Sequence, residues 1–315
     1  MANRSDMNTL ETTGNALPLV SIISVNYNNV AVTCDMLASL QSTGYPALEV
    51  IVVDNGSSES PEAIAERYPS VQLVTSPQNL GFAGANNLGI RHAHGELLFF
   101  LNNDTIVPAG AIEPLVTALQ SNPHLAAVSP KILYHDHPDL LQFAGYTEMN
   151  PYTVRCHSIG YKEQDRGQYD QLRSSPYLHG AAMMVRREAL ARVGLMAEMY
   201  FLYYEELDWC HRFRQAGYAL AVVPQAKIYH KESVTTGKDS PLRQYYISRN
   251  RMLFMKRNFS GRQRLIATLY QHLIAFPKNI LSYLIKGKIE HVRSIVRAWH
   301  WHVINRNNPA VYHNG

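Results

Sequence analysis

Cysteine is scarce in this sequence: Cys34, Cys156 and Cys210 are the only three in 315 residues. An odd number at wide spacing fits neither a disulfide framework nor a set of zinc ligands, so a reducing cytoplasm is the expected compartment. No apolar run approaches the roughly 20 residues that a membrane-spanning helix needs. The opening residues 1–17 are polar and lack the basic and apolar regions of a secretory signal, so they read as a flexible tail. No G-x-G-x-x-G follows the first apolar run, and NLGFAGANNLG spaces Gly81, Gly84 and Gly89 differently, which argues against a dinucleotide-dependent dehydrogenase. Internal repeats and low-complexity tracts are also missing. Acid is scarce at one end only. Residues 251–315 carry eleven Lys and Arg against the single Glu290, a charge of +10, while the first 250 residues sum to −6. The two parts are expected to face different partners.

What is present is an alternation of short apolar runs and helical patterns, with enough hydrophobic residues (46%) to bury a sizeable core. LVSIISV (Leu19 to Val25), LEVIVV (Leu48 to Val53), VQLVT (Val71 to Thr75) and ELLFFL (Glu96 to Leu101) read as strands. Helical spacing fills Val30 to Ser42, Pro61 to Tyr68 and Gly84 to Ala93. This order predicts an α/β fold with a Rossmann-like, mostly parallel central sheet flanked by helices. Polar clusters stand at the strand ends: Asn26-Tyr27-Asn28, Asp54-Asn55-Gly56-Ser57, Asn79-Leu80-Gly81 and Asn102-Asn103-Asp104. In open α/β sheets such ends line the ligand crevice. Residues 130–175, rich in His, Tyr, Asp and Gln, read as loops and short strands around a binding site. A strand YLHGAAMMV, a helix from Glu188 to Val193, a helix within FLYYEELDWCHRFRQAG closed by Gly217, and a strand YALAVVP follow.

Two clusters carry chemistry. Asp104, just past an apolar strand, suits a divalent-metal ligand, with an ordinary Asx turn as the alternative. Glu205, Glu206 and Asp208 sit within four residues beside Tyr203, Tyr204 and Trp209. Acids at a helix start favour the macrodipole, but acids among aromatic rings can also have raised pKa values and serve as a general base near a sugar. Asp54 after the second strand fits either a hydrogen bond to a nucleoside or a turn.

VSIISVNYNN, VIVVDNGSS, NLGFAGANNLGI, LLFFLNNDT, HGAAMMVRREAL and FLYYEELDWCHRFRQAGY together resemble, in order, the successive blocks of the family 2 glycosyltransferases with the GT-A fold, and especially their rhamnosyltransferase-like branch. The likeness spans roughly residues 19 to 231. It implies an inverting hexosyl transfer from a nucleotide-diphosphate sugar to a glycan or lipid-linked saccharide, for cell-surface polysaccharide synthesis. The first donor it implies is dTDP-rhamnose, with a UDP-hexose or UDP-galactofuranose behind it. By the same resemblance Asn26, Tyr27, Asp54 and Asn55 hold the nucleoside, and Asn79 to Asn87 line its pocket. Asn102-Asn103-Asp104 stands where the family has Asp-x-Asp, so Asp104 binds Mn²⁺ or Mg²⁺, here as the motif's only carboxylate, and His230 completes the metal site. Glu206 occupies the base position of a Glu-Asp pair, one methylene longer than the family's Asp; Asp208 is the other candidate. His179, Glu205, Trp209, Arg249 and Arg251 are implied as acceptor-side or auxiliary groups. The rival outside enzymology is a sugar- or nucleotide-binding protein without turnover.

Residues 262–304 interleave Leu, Ile and Val with Lys and Arg. The pattern suits amphipathic helices lying on an anionic membrane surface, with Trp299 and Trp301 as interfacial anchors. Docking on the catalytic domain or homodimerisation is the alternative, and the density of apolar residues disfavours nucleic acid. The expected organisation is a tail (1–17), a catalytic domain (18–240) and a basic helical C-terminal region (241–315), peripheral at the inner face of the cell membrane.

Overall fold

A computed structural model describes residues 17–231 and 239–308, so all of the expected tail except Leu17 lies outside the described residues. The first half alternates as the apolar runs predict. Strands β1 (Val20–Asn26), β2 (Leu48–Asn55), β3 (Gln72–Ser76) and β4 (Leu97–Leu101) are parallel, with helices α1 (Val30–Leu40), α2 (Glu62–Arg67) and α3 (Gly81–His92) between them. The register of β1 on β2 runs from Val20 opposite Leu48 to Asn26 opposite Asp54, which sets two polar strand ends side by side. The second half adds β5 (Thr105–Ile106), α4 (Glu113–Ser121), β6 (Leu125–Tyr134), β7 (Leu141–Phe143), β8 (Arg173–Ser174), β9 (Ala182–Arg186), α5 (Arg187–Val193), α6 (Glu205–Gln215) and β10 (Ala219–His230).

The main sheet order is β3-β2-β1-β4-β9-β6-β10-β5. It is mixed, yet six of its eight strands point the same way, in keeping with the mostly parallel sheet expected. Strand β9 lies antiparallel between β4 and β6, and β5 is antiparallel to β10. The chain reaches β9 from the excursion over residues 135–175, at the end where β4 and β6 finish, so it can only run back against them. Strand β6 is not among the strands expected from the sequence and runs five residues into the stretch 130–175 expected as loops and short strands, with all ten of its residues buried. Lys131 on it is fully buried and paired with Asp165 at 3.0 Å and with Asp170, which ties the excursion to the sheet.

The C-terminal region is helical as expected, but the boundary at residue 240 does not separate two cores. Helix α7 (Pro241–Asn258) starts at Ser240, whose hydroxyl accepts from the Arg243 amide, and its Leu253, Phe254 and Met255 join the main hydrophobic core. Helix α8 (Gly261–Tyr270), a π-helical turn (Gln271–Ala275) and α9 (Phe276–Ile285) follow without a break, and α10 (Ile289–Ile304) packs along α7. Leu265, Leu269, Leu273, Leu281 and Ile285 stand exposed along α8, the π-helical turn and α9. Trp299 is exposed, whereas Trp301 turns inward over the Arg249 guanidinium, 5.0 Å from its ring centre, and so is not available as an interfacial anchor. Among the described residues no helix is long and apolar enough to cross a membrane.

Candidate active site

The carboxyl ends of β1, β2 and β4 open onto a cleft of ≈ 470 Å³. On the side formed by the ends of β1 and β2 the polar side chains bond mainly to one another. Asn26, fully buried, donates from Nδ2 to Asp54 Oδ1 at 2.7 Å and accepts from Thr33 Oγ1 at 2.8 Å. Asp54 accepts from the Ser57 amide and hydroxyl. Asn55 donates to Asn79 Oδ1 at 3.0 Å and accepts from the Leu80 amide at 2.8 Å. The result is a prearranged wall in which Tyr27, Asn55 and Asn79 line the cleft, while Asn26 and Asp54 support it from behind.

Past β4, the chain turns through Asn102, Asn103 and Asp104 and pairs Thr105 with His230 across β5 and β10. This brings Asp104 Oδ1 to 3.0 Å from His230 Nε2, both groups nearly buried. His230 Nδ1 donates to Gln142 Oε1 at 2.8 Å, which leaves Nε2 to face the carboxylate, with Asn102 Nδ2 3.5 Å from it. Burial pushes the Asp104 carboxyl up, but His230's hydrogen bond and charge outweigh this and hold it below the ordinary carboxylate value. A divalent cation accepting a lone pair from each group would serve the same purpose. The donor set, one carboxylate and one imidazole fixed by an outer hydrogen bond, fits Mn²⁺ or Mg²⁺ shared with phosphate oxygens. Among the described residues no cluster of three or more His, Cys, Asp or Glu side chains is arranged for a metal.

The other reactive groups arrive on a loop of unusual backbone. Phe201, Tyr203 and Tyr204 have φ of 64°, 68° and 76°, in the left-handed region that costs a non-glycine residue on the order of 1–3 kcal/mol. The Leu202 amide bonds back to the Tyr200 carbonyl at 2.7 Å around Phe201, and the Phe82 amide takes the Phe201 carbonyl at 2.6 Å. Gly81 permits this approach, because a Cβ there would lie 2.4 Å from that carbonyl oxygen. Helix α6 then begins with Glu205 and Glu206, both lining the cleft. Burial, with the charge of Glu206, raises the Glu205 carboxyl well above its ordinary value; burial raises Glu206 to about 7. Oε2 of each is buried without a hydrogen-bond partner. His179, stacked on Tyr146 and 6.0 Å from the His230 ring, is pushed down to about 3 by burial and stays neutral.

The cleft thus gathers Tyr27, Asn55, Asn79, Asn102, Asn103, Asp104, His179, Glu205, Glu206 and His230. Five other expected residues lie elsewhere. Asn87 bonds to Met196 and Glu198 and ties α3 to the chain before the loop that leads into α6. Asp208 is fully buried, accepting from Arg212 at 2.9 Å, Tyr200 at 3.0 Å and Asn258 at 2.9 Å, which removes it as a base. Trp209 is core, edge-on to Phe100, with its indole N–H on the Gly194 carbonyl. Arg249 holds the carbonyls of Met199 and Tyr200, and Arg251 bonds to Tyr204 Oη; neither lines the cleft. Sequence reasoning missed Gln142, Tyr146 and Arg243. The first two lie in the aperiodic stretch, but Ser240-Pro241 is a legible helix start that puts Arg243 in the first turn.

The sequence profile of the family described as Glycosyl transferase family 2 matches residues 21–194. An N-acetylglucosaminyl-diphospho-decaprenol L-rhamnosyltransferase of Mycobacterium tuberculosis is 28% identical over 243 residues, 70% of this chain and 78% of that protein. A dTDP-rhamnosyl transferase of Shigella flexneri is 25% identical over 254 residues, 75% of this chain and 82% of that one. Among solved structures, a mannosyltransferase of Pyrobaculum calidifontis in complex with GDP-Man and Mn²⁺ superimposes with a TM-score of 0.56 at 20% identity, covering 94% of this chain and 78% of that one. S. aureus TarS with UDP-GlcNAc gives 0.56 at 15% identity, over 89% and 79%. The fold is GT-A, as the sequence motifs imply.

Proposed function

Because the chain belongs to glycosyl transferase family 2, we propose that it is an inverting, metal-dependent hexosyltransferase acting on a nucleotide-diphosphate sugar. The observation that carries this reading is one cleft holding both the Asp104–His230 pair and Glu206, whose carboxyl is tuned to about 7. A carboxylate of that basicity takes a proton effectively at neutral pH. Glu206 removes the proton of the acceptor hydroxyl as its oxygen attacks the anomeric carbon from the face opposite the diphosphate; the bond to the diphosphate breaks and the configuration inverts. Mn²⁺ or Mg²⁺ held by Asp104 and His230 would neutralise charge on the departing diphosphate. Asn55, Asn79 and Tyr27 hold the nucleoside, and Glu205, protonated, keeps a second negative charge away from Glu206.

The names of the mycobacterial and Shigella relatives support dTDP-rhamnose as donor, and the former supports a lipid-linked saccharide as acceptor. A cytoplasmic protein held at an anionic membrane surface by the exposed leucines of α8 and α9 and the surrounding cations would meet such an acceptor. A binding protein without turnover is disfavoured, since binding alone gives no reason for a carboxyl raised to about 7 in the same cleft as the Asp104–His230 pair. The test is a panel of dTDP-, UDP- and GDP-sugars with Mn²⁺ or Mg²⁺, with and without chelator. Turnover of one donor, lost on chelation, is the expected result; failure to bind any nucleotide sugar would refute the reading. Sedimentation with phosphatidylglycerol but not phosphatidylcholine vesicles tests the membrane contact.

A further inference from the structure

The loop that presents Glu205 and Glu206 is held from behind by two adjacent residues of α7. Asn250, fully buried, directs its Nδ2 at the carbonyls of Tyr200 (2.9 Å), Leu202 (2.7 Å) and Tyr203 (2.7 Å). Its Oδ1 accepts from Arg249 Nε at 2.8 Å, which fixes the amide so that the donor end faces the loop. Arg249 Nη2 in turn reaches the carbonyls of Met199 (2.8 Å) and Tyr200 (2.5 Å). The five contacts fall on the carbonyls bracketing the left-handed residues Phe201 and Tyr203. Arg249 is itself fixed. Its guanidinium lies between the Tyr246 ring (4.9 Å) and the Trp301 ring (5.0 Å), and its own carbonyl accepts from His302 Nε2 at 2.7 Å. Tyr246 also stacks on Phe201, with ring centres 5.1 Å apart. Trp301 and His302 belong to α10, far along the chain from the catalytic loop.

We propose that Arg249 and Asn250 are positioning residues for Glu206 and that α10, through Trp301 and His302, braces them, so that the C-terminal helix sets the rate of the reaction without touching substrate. The inference rests on the reading of Glu206 as the base. A backbone in the left-handed region relaxes once its carbonyls are released, and relaxation at Tyr203 and Tyr204 would swing the start of α6 and its carboxylates away from the acceptor. The nucleoside wall is built on the ends of β1 and β2 and the turn before α3; α3 meets the loop through the Phe82 amide, but Arg249 and Asn250 make no hydrogen bond to the wall, so donor binding should survive.

The experiment uses the full chain and the variants Trp301→Ala, Trp301→Phe, Asn250→Asp and Glu206→Gln. It measures kcat, donor KM, melting temperature and amide hydrogen exchange across residues 198–208. Trp301→Ala and the isosteric Asn250→Asp, which turns donors into acceptors, should each lower kcat by about 10²-fold with donor KM within about twofold. Exchange should rise in residues 198–208 and stay unchanged in β1 and β2. Trp301→Phe, which keeps an aromatic face over Arg249, should restore most of the rate. Wild-type kcat in both Trp301→Ala and Asn250→Asp would overturn the proposal, as would losses of kcat and donor affinity in parallel. If Glu206→Gln turned over normally, the base assignment would fall by itself; unchanged exchange at residues 198–208 in Trp301→Ala and Asn250→Asp would overturn the clamp whatever the base.

Discussion

The two sides of the cleft differ in how their polar groups are satisfied. On the side formed by the ends of β1 and β2, proposed to hold the nucleoside, Asn26, Asp54, Asn55 and Asn79 answer one another, so the wall has its shape before any ligand arrives. On the reactive side Asn102 Oδ1, Glu205 Oε2 and Glu206 Oε2 are buried without partners, Asp104 and His230 face each other, and three residues before α6 are left-handed. Each unanswered buried group costs on the order of 1–3 kcal/mol. Binding can rest on a relaxed, self-satisfied surface, whereas chemistry needs atoms whose best partner is the substrate or ion.

Substitutions on the two sides should therefore fail differently. The largest effect belongs to Glu206→Gln: kcat should fall about 10²–10⁴-fold, with nucleoside-diphosphate affinity unchanged by calorimetry. Asp104→Asn should lower kcat/KM by about 10²–10³-fold and flatten the response to Mn²⁺ in a metal titration, because the one carboxylate of its motif is gone. On the nucleoside side, Asn55→Ala should weaken donor binding about tenfold, on the order of 1.4 kcal/mol, and leave kcat at saturating donor intact. The smallest effect on turnover is expected for Asp208→Asn. Loss of its pairing with Arg212 should cost about 3 kcal/mol in denaturant unfolding, while the folded fraction keeps its kcat. A turnover defect there without a stability defect would break the division between the two sides.

The convergence of the polar strand ends on one cleft was legible because strands end where apolar runs meet Asn and Asp, and strand ends of a parallel half-sheet come together. Asn102, Asn103 and Asp104 followed from the same rule. Sequence spacing did not distinguish Asn26 and Asp54, which support the wall, from Asn55, which lines it, since adjacent residues on a strand point to opposite faces and the register decides which side is wet. Likewise Glu206 and Asp208, two apart on one helix, face in different directions; only Asp208 has Arg212 at i+4 to hold it, a signal present in the sequence. Gln142 and Tyr146 lay in a segment without periodicity, where long-range contacts set the backbone. The clamp of Arg249 and Asn250 was not legible because main-chain carbonyls carry no sequence signature. The same contacts, with Leu253, Phe254 and Met255 in the main core, explain why α7 packs with the sheet domain although its charge and spacing group it with the basic helices.

The most direct test is the pH dependence of a single turnover at saturating donor, metal and acceptor, for the wild type and Glu206→Gln. A base with a raised pKa is inactive while protonated, so the wild-type rate should climb tenfold per pH unit below about 7 and level off above it. In Glu206→Gln the rate should be low and lack that inflection. An inflection near 7 that persists in Glu206→Gln, or a wild-type rate that is flat from pH 5 to 8, would contradict the assignment of Glu206 as the base.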